Sequence, residues 1–463
     1  MVLLRSAQTE KYVILFVVVT LCISFLYEFE TLTGVTLNEA GHSVLQILPS
    51  LRKGSGPGGG PPPKEVKHED LFNIPPVDDE SIKAVCRATQ WNESLVFTCN
   101  QSFGGIGNIR NSVLLCVRFA MQAGAALVLP QILLRDDDIT NYQTQNATEF
   151  SYMFDTQHFY KSMQQSCPEM AIYSTFDEVI KGGNHTGDIN RLRFQAESLT
   201  GDGLIKTEMW RDRFYAWLDE KQAGPVSGKP GPTVLDLERC YMSYPIYSDG
   251  EAFALSFGLT LQLREDIRLL ASKVLRGLAK RLSFADTDLK NEVLPDAYFG
   301  AHLRVEHDAQ VTWNAQYGWT HATYEKQAED YLKQALQPSR SSPKGIYVAS
   351  GDVEGTRRFV EDAARNNLTA LGKFDVLRGT EDLKTLEAFR WDQQALVDYL
   401  ILLRASDFAG VAHSSFSWSI ALKRHTWAKQ EGKYLDAPEK LHDDLSVVYG
   451  VVGSENFPEA LWP

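Results

Sequence analysis

The sequence SFGGIGNIR at Ser102–Arg110 is followed without a break by an apolar-periodic run from Val113 to Ala123. Three glycines, Gly104, Gly105 and Gly107, thus open a predicted helix. Glycine permits positive φ and lacks a Cβ atom, so backbone N–H groups can converge on an anion where the helix dipole already favours one. The stretch predicts a phosphate-binding loop, although Gly-rich turns before helices are more often simple connections.

The segments around this loop predict an α/β fold. Residues 125–130 read as a buried strand, and a second alternating series begins near residue 297. Its predicted strands are Ala297–Val305, Gly345–Ser350, Phe374–Leu377 and Phe408–Ala412, and its predicted helices are Tyr324–Gln337, Glu354–Asn366 and Gln393–Ala405. This alternation predicts a parallel sheet with helices on both faces. Two such series predict two Rossmann-like domains that face a cleft.

The size and charge of the chain limit its partners. A chain of 463 residues fits two domains with additional segments. The net charge of −13 and the absence of a Lys/Arg block argue against a nucleic-acid surface.

The first 84 residues predict a membrane anchor and a stem. Residues 12–27 are almost uniformly apolar, with Arg5 and Lys11 before them and acidic residues after them. This pattern predicts a signal anchor, short for a membrane span, with its N-terminus in the cytosol; a cleaved signal peptide and a buried core helix are the alternatives. The predicted organisation is a cytosolic tail 1–11, the anchor 12–27, a flexible Gly/Pro-rich stem 28–84, an N-terminal Rossmann-like acceptor-side domain 85–250, bridging helices 251–295, and a C-terminal nucleotide-sugar-binding domain 296–463.

Sequons and cysteines agree with a lumenal head. Five glycosylation acceptors occur, at Asn92, Asn100, Asn146, Asn184 and Asn367. Cys22 lies in the anchor, and Cys116 falls on the apolar helix face, where a buried thiol is expected. We therefore expect disulfides between Cys86 and Cys99 and between Cys167 and Cys240. No cysteine or histidine spacing predicts a zinc site.

Three groups of polar residues lie at the carboxyl ends of predicted strands, with Asp398 of the third group on a predicted helix. The first is His302, Arg304 and Glu306, with Asp308 beyond them; an arginine on an apolar strand suits a phosphate, and an internal Arg304–Glu306 ion pair is the alternative. The second contains His413, Ser414, Ser415 and Phe416, at a helix start where hydroxyls and amides suit a pyrophosphate or simply cap the helix. The third is Asp352 with Asp398, which suit a ribose or a guanine edge, or act as a cap and a solvated acid.

These residues resemble the GDP-fucose protein O-fucosyltransferases and their plant and fungal relatives. The loop Gly104–Asn108 resembles the first motif of that family, and His302-Leu303-Arg304 matches its His-X-Arg strand. The segment from Asp398 through Asp407–Gly410 to Phe416 is similar to the C-terminal motif in order and spacing. The motifs span about residues 99 to 425.

The resemblance implies a GT-B fold, GDP-fucose as donor, and no metal or other cofactor. It implies that Arg304 and His302 bind the donor, with Arg304 on the diphosphate. It also implies that Gly104, Gly105, Gly107 and Asn108 bind the donor, with Asn108 lining the cleft between donor and acceptor. It also implies that Ser414, Ser415 and Phe416 contact the phosphates and sugar, and that Asp352 and Asp398 lie near the nucleoside. Many members carry arginine where this chain has Gly105, so that cation is missing or is supplied by Arg110.

The predicted function is a metal-independent, inverting transfer of fucose to a protein or glycan hydroxyl. Arg304 is expected to stabilise the leaving diphosphate, and Glu306 or Asp308 is a candidate base. The predicted location is the Golgi or ER membrane, with a single-pass type II topology and a lumenal head. One alternative is a metal-dependent transferase that uses Asp136 and Asp138. The other is a non-catalytic glycan-binding protein on the same fold.

Overall fold

The computed structural model describes residues 69–100, 102–134, 146–182, 188–201, 203–222, 230–240, 242–337, 342–428, 441–450 and 457–463. The described residues from 69 onward belong to one compact unit. The predicted anchor at 12–27 lies outside the described residues. Among the helices that are described, none combines the length and apolar character that a membrane span needs.

The packed structure begins earlier than the predicted start of the head at residue 85. Leu71 and Phe72 are buried in the core, although the predicted stem extends to residue 84. Asp70 pairs with the buried Arg268, and Asp79 caps the first described helix through its side chain. Apolar burial and two paired aspartates thus fix the end of the predicted stem against the head.

The strands of the described chain are β1 (Leu95–Thr98), β2 (Ala126–Val128), β3 (Ile132–Leu133), β4 (Ala147–Thr148), β5 (Ile172–Tyr173), β6 (Asp188–Phe194), β7 (Pro230–Leu237), β8 (Phe299–His302), β9 (Ile346–Ala349), β10 (Ala370–Leu371), β11 (Asp407–Val411) and β12 (Ser446–Tyr449). They form two five-stranded sheets, in the orders β5-β2-β1-β7-β6 and β10-β9-β8-β11-β12, and a short β3-β4 ribbon. All pairings within the two large sheets are parallel. The predicted α/β class with parallel sheets is confirmed.

The α-helices of the described chain are α1 (Glu80–Ala88), α2 (Ile106–Ala123), α3 (Thr156–Ser166), α4 (Phe176–Gly182), α5 (Thr207–Gln222), α6 (Glu251–Phe257), α7 (Glu265–Arg281), α8 (Tyr324–Leu336), α9 (Val353–Arg365), α10 (Lys373–Leu377), α11 (Asp382–Ala388), α12 (Trp391–Arg404), α13 (Ser415–His425) and α14 (Phe457–Ala460). The predicted strand Phe374–Leu377 is wrong, because this stretch is α10 and the strand ends earlier at Leu371. Gly372 begins this helix, and the Asp375 side chain accepts from its N–H at 3.1 Å. The predicted domain boundaries at 250 and 296 stay predictions.

The disulfides differ from the predicted pairs. Cys86 is bonded to Cys167 with a Cα–Cα distance of 5.4 Å, and Cys99 to Cys116 at 6.2 Å. Cys240 is a buried free thiol. Helices α1 and α3 pack together and bring Cys86 to the end of α3, while α2 folds back beside β1 and brings Cys116 to Cys99. Tertiary packing, rather than order along the chain, sets these pairs.

The predicted glycosylation acceptors are untested. Asn146 and Asn367 are exposed, Asn92 and Asn100 are half-buried, and Asn184 lies outside the described residues. These positions suit modification of a surface, and the glycosylation stays a prediction.

Candidate functional site

A cavity of about 500 Å³ gathers loops from both large sheets. Those loops follow β1, β7, β8, β9, β10 and β11. Ligands collect at the carboxyl ends of strands in such sheets. The predicted site residues that line it are Gly104, Gly105, Asn108, His302, Arg304, Glu306, Asp308, Asp398, Ser414, Ser415 and Phe416. The structure thus brings together the glycine loop, the groups around Arg304 and Ser414, and Asp398 of the third group, while their roles in binding stay predictions.

The glycine loop has the geometry that its sequence predicts. Gly104 has φ +113°, and a Cβ atom there would lie 2.7 Å from Asn108 Nδ2. Gly105 is the N-cap residue of α2 and, as a glycine, has no side chain with which to cap the helix. The buried Oδ1 of Asn108 has no hydrogen-bond partner in the described part of the chain. The first-turn amides of α2 and the Oδ1 atom of Asn108 can therefore form hydrogen bonds with a ligand in the cavity.

Gly107 has a packing role instead of lining the cavity. A Cβ atom at this position would lie 2.5 Å from the backbone oxygen of Ser415. Only glycine permits this close approach of α2 to α13. The contact holds the glycine loop against the start of α13.

Arg304 lies beyond the strand that was predicted to contain it, because β8 ends at His302. Its guanidinium donates to Glu306 and to both carboxylate oxygens of Asp308, with Nη1 to Asp308 Oδ1 at 2.8 Å. It also lies 4.9 Å from the ring centre of Trp313. Burial lowers the pKa of Arg304, but the carboxylates outweigh it and raise that pKa above its usual value. The alternative of an internal ion pair is therefore present, and it fixes the guanidinium at the cavity wall.

Glu306 joins two loops at the strand ends. One carboxylate oxygen accepts from Arg304, and the other accepts from the backbone N–H of Gly351 at 2.8 Å. Burial raises the pKa of Glu306, but the Arg304 guanidinium outweighs it and holds that pKa below its usual value. A carboxylate with a lowered pKa is a weaker proton acceptor, so its predicted role as a base requires a change in this pairing.

His302 is a neutral, fixed ring at the end of β8. Its Nδ1 lies 2.7 Å from Ser417 Oγ, and its ring centre lies 4.4 Å from that of Phe416. Burial lowers the pKa of His302 to about 3. The side chain is therefore uncharged at neutral pH, and it links β8 to the first turn of α13.

The start of α13 has no side-chain cap. Ser414 is the N-cap residue, and its hydroxyl makes no capping hydrogen bond. The alternative reading of this serine as an ordinary cap is therefore not what the structure shows. Unpaired first-turn amides and the helix dipole favour an anion at this position.

Asp398 lies in a buried polar cluster at the cavity. Its Oδ1 accepts from Tyr347 at 2.7 Å, and its Oδ2 pairs with Lys373. Burial raises the pKa of Asp398 despite the nearby lysine. Lys373 follows β10, at a carboxyl end of the sheet, whereas the predicted strand Phe374–Leu377 leaves this lysine before a strand and without a role.

Asp352 lies at the start of α9, outside the residues that line the cavity. It is the N-cap of that helix, and its Oδ1 accepts from the backbone N–H of Gly355 at 2.7 Å. The alternative reading of Asp352 as a cap is thus present in the structure.

The extra cation at the cavity is Arg239 and not Arg110. Arg110 is buried and donates to the backbone oxygens of Trp462 at 2.6 Å and Gly258 at 2.8 Å. Arg239 lines the cavity, with its guanidinium carbon 3.9 Å from the ring centre of Phe103. Arg239 follows β7, which pairs with β1, so the sheet places it beside the glycine loop. No local motif marks it, and only the strand pairing could have indicated it.

Aromatic side chains also line the cavity without any predicted role, namely Phe103, Trp313, Trp319, Phe374, Trp391 and Phe457. Trp313 lies in a π-helical segment, Ala309–Gln316, a type of local structure that is frequent at functional sites. Their spacing in the sequence carries no motif.

Among the described residues, the only group of three or more metal-type ligands is Cys86, Cys167 and Glu169. Its two cysteines are joined in a disulfide, so their sulfurs are not thiolate ligands. Asp136 and Asp138, the alternative metal site, lie outside the described residues.

Comparisons with known proteins identify the family. The model of the GDP-fucose protein O-fucosyltransferase family matches residues 95–426, well over half of the chain. Similar solved structures include POFUT1 in complex with GDP-fucose, with 13% identity and a TM-score of 0.44 over 79% of this chain and 99% of that one. They also include the fucosyltransferase NodZ from Bradyrhizobium, with 11% identity and a TM-score of 0.36 over 72% of this chain and 93% of that one. A search of curated proteins found no match. The match over residues 95–426 shows that the chain belongs to the GDP-fucose protein O-fucosyltransferase family of glycosyltransferases.

Proposed function

We propose that the protein is a metal-independent, inverting glycosyltransferase that moves fucose from GDP-fucose to a hydroxyl of a protein or glycan. One observation carries the proposal: the glycine loop, Arg304 and the start of α13 line a single cavity. The donor follows from the family to which the chain belongs.

The charges of the cavity suit a departing diphosphate. Cleavage of the bond from fucose C1 leaves negative charge on GDP and oxocarbenium character on the sugar. The Arg304 guanidinium and the amides at the starts of α2 and α13 stabilise the charge on the leaving group. Arg239 supplies a second cation on the side of the glycine loop.

Carboxylates hold Arg304 in position before the donor binds. The described charged side chains that line the cavity are the cations Arg239, Arg304 and Lys373 and the anions Glu306, Asp308, Asp392 and Asp398. The diphosphate therefore competes with Glu306 and Asp308 for the guanidinium. Either carboxylate, once released from this pairing, is available as a base for the acceptor hydroxyl.

A nucleotide-binding panel tests the proposal. Thermal unfolding of the purified head is measured with GDP, UDP, GDP-fucose and GDP-mannose, each with and without EDTA. We expect stabilisation by the guanine nucleotides, none by UDP, and no effect of EDTA. Equal stabilisation by UDP, or none by any nucleotide, would contradict the proposed donor, and loss of GDP binding in EDTA would favour the metal-dependent alternative.

We also propose that the head lies in the lumen of the Golgi or ER, anchored by residues 12–27. The two disulfides of the described chain suit an oxidising compartment, and two exposed sequons suit glycosylation. Protease protection of the head in intact microsomes, together with a mobility shift after glycan removal, tests this topology. Digestion of the head without detergent would contradict it.

A further inference from the structure

The order of the strands separates two ends of the cavity. Lys373 and Phe374 follow β10, Arg304 follows β8, and His413 follows β11. In the sheet order β10-β9-β8-β11, the outer two of these strands are three spacings apart, or about 14 Å. A nucleotide sugar with its diphosphate at Arg304 would therefore reach toward β10 with one part and toward β11 with the other.

The β10 end is rich in hydrogen-bonding groups. Lys373 and Asp398 pair there, and Asp392 also lines the cavity. A nucleobase presents several donors and acceptors along its edge, and such buried polar groups are the partners that it needs. This end suits the nucleoside.

The β11 end is lined by aromatic side chains. The ring of His413 lies 4.5 Å from that of Trp313 and 5.8 Å from that of Trp319. The ring centre of Trp319 also lies 5.5 Å from that of Tyr317. Trp313 lies beside the Arg304 guanidinium, so this aromatic wall adjoins the expected position of the diphosphate.

His413 adds one polar atom to this wall. The side chain is buried, and within the described residues its Nε2 has no hydrogen-bond partner. Burial lowers the pKa of His413 to about 3, and the Arg304 charge acts in the same direction, so the ring is neutral. A buried polar atom without a partner at a cavity wall is a position for a ligand hydroxyl.

We propose that Trp313, Trp319 and His413 form the subsite for the donor sugar and select a 6-deoxy sugar. The indole rings contact the apolar face of the sugar and its C6 methyl group, and His413 Nε2 forms a hydrogen bond with a sugar hydroxyl. This inference rests on the proposed function, because it takes a nucleoside diphosphate sugar as the ligand.

The test uses two nucleotide sugars that differ at one atom. GDP-L-galactose has the configuration of GDP-fucose and carries a hydroxyl on C6. Calorimetric Kd values are measured for both and for GDP. We expect the wild type to bind GDP-fucose about tenfold more tightly than GDP-L-galactose, because an apolar subsite disfavours an added hydroxyl only moderately.

Variants at the two ends of the cavity separate sugar binding from nucleoside binding. In Trp319→Ala we expect this ratio to fall toward one, with the Kd of GDP unchanged. In His413→Phe, which keeps a ring but lacks Nε2, we expect both nucleotide sugars to bind about fivefold more weakly and GDP as before. The control Trp391→Ala lies on the nucleoside side of Arg304, because a Cβ atom at Gly351, which follows β9, would lie 2.6 Å from this indole. In this control all three ligands should weaken by the same factor.

Each outcome distinguishes this inference from the proposed function. Equal affinity of the wild type for the two nucleotide sugars would overturn the proposed subsite without affecting the proposed binding of GDP. This comparison requires only the wild-type protein. If Trp319→Ala weakens GDP as much as GDP-fucose, the aromatic end holds the base and the assignment is wrong. If the wild type binds no GDP at all, both proposals fail. Unchanged GDP affinity shows that a variant is folded.

Discussion

Replacement of Arg304 by alanine tests two roles of this side chain, which are its contribution to stability and its contribution to turnover. The side chain is 13% exposed, and the carboxylates of Glu306 and Asp308 that it pairs with are 12% and 14% exposed. Removal of one partner from a buried pair costs about 3–5 kcal/mol, because it leaves charge without compensation. For a unit of this size that corresponds to a decrease in Tm of roughly 4–6 °C, since the unfolding entropy scales with chain length.

The expected effect on turnover of Arg304→Ala is larger than instability explains. Loss of a single donor to a developing charge typically costs about 10²–10³ in rate, and this guanidinium presents more than one donor. We expect turnover, measured as GDP release from GDP-fucose per folded molecule, to fall about 10³-fold. Near-native turnover of Arg304→Ala would refute the assigned role.

Arg268 provides a matched control for the loss of a buried arginine. It is 5% exposed, donates to Asp70 at 2.8 Å and to Asp155 at 3.1 Å, and does not line the cavity. Arg268→Ala should lower Tm by a similar amount and keep turnover per folded molecule. Adding Asp308→Asn to Arg304→Ala should recover part of the Tm, because it removes one uncompensated charge, without restoring turnover.

Three further predictions concern packing, pH and metal. Gly107→Ala places a Cβ atom 2.5 Å from the Ser415 backbone oxygen and should destabilise the protein by about 1–3 kcal/mol in thermal unfolding. Gly105→Ala meets no atom of the described residues within 4 Å and should leave Tm unchanged. Equal Tm values for the two variants would refute the packing role of Gly107. The folded pKa of His302 and of His413 is about 3, below the unfolded value of about 6.5, so the unfolded state binds more protons between these pH values. Each histidine should therefore lower the free energy of unfolding by about 2 kcal/mol when the pH falls from 7 to 5. Replacing both histidines by Asn should flatten the dependence of Tm on pH, and an undiminished slope would contradict this prediction. Transfer activity should survive EDTA dialysis, measured as fucose incorporation, and recovery only on adding Mn²⁺ would count against the proposed mechanism.

Local patterns predicted much of the site because its motifs are short in sequence. The loop Gly104–Asn108 needs glycine at a positive φ, and this requirement is visible in the residues themselves. The parallel α/β class followed from alternating strand and helix patterns. These features arise from backbone sterics and local periodicity, which act between residues close in sequence.

Other features came from contacts between distant segments. Arg239 reaches the cavity because β7 pairs with β1, and Lys373 reaches it from the end of β10. The assignment of Phe374–Leu377 as a strand was wrong because a short apolar run does not distinguish strand from helix. The disulfide partners were likewise set by the packing of helices that lie far apart in the chain.

The sequence by itself determined the fold class, the family resemblance, the glycine loop at Gly104 and the groups of polar residues around Arg304 and Ser414. Only the tertiary structure decided that Arg304 is held by two carboxylates, that Gly107 packs against Ser415 and that an aromatic wall adjoins the cation. The physical reason is that ion pairing, close approach and cavity shape depend on distances between atoms that the chain brings together only when it folds.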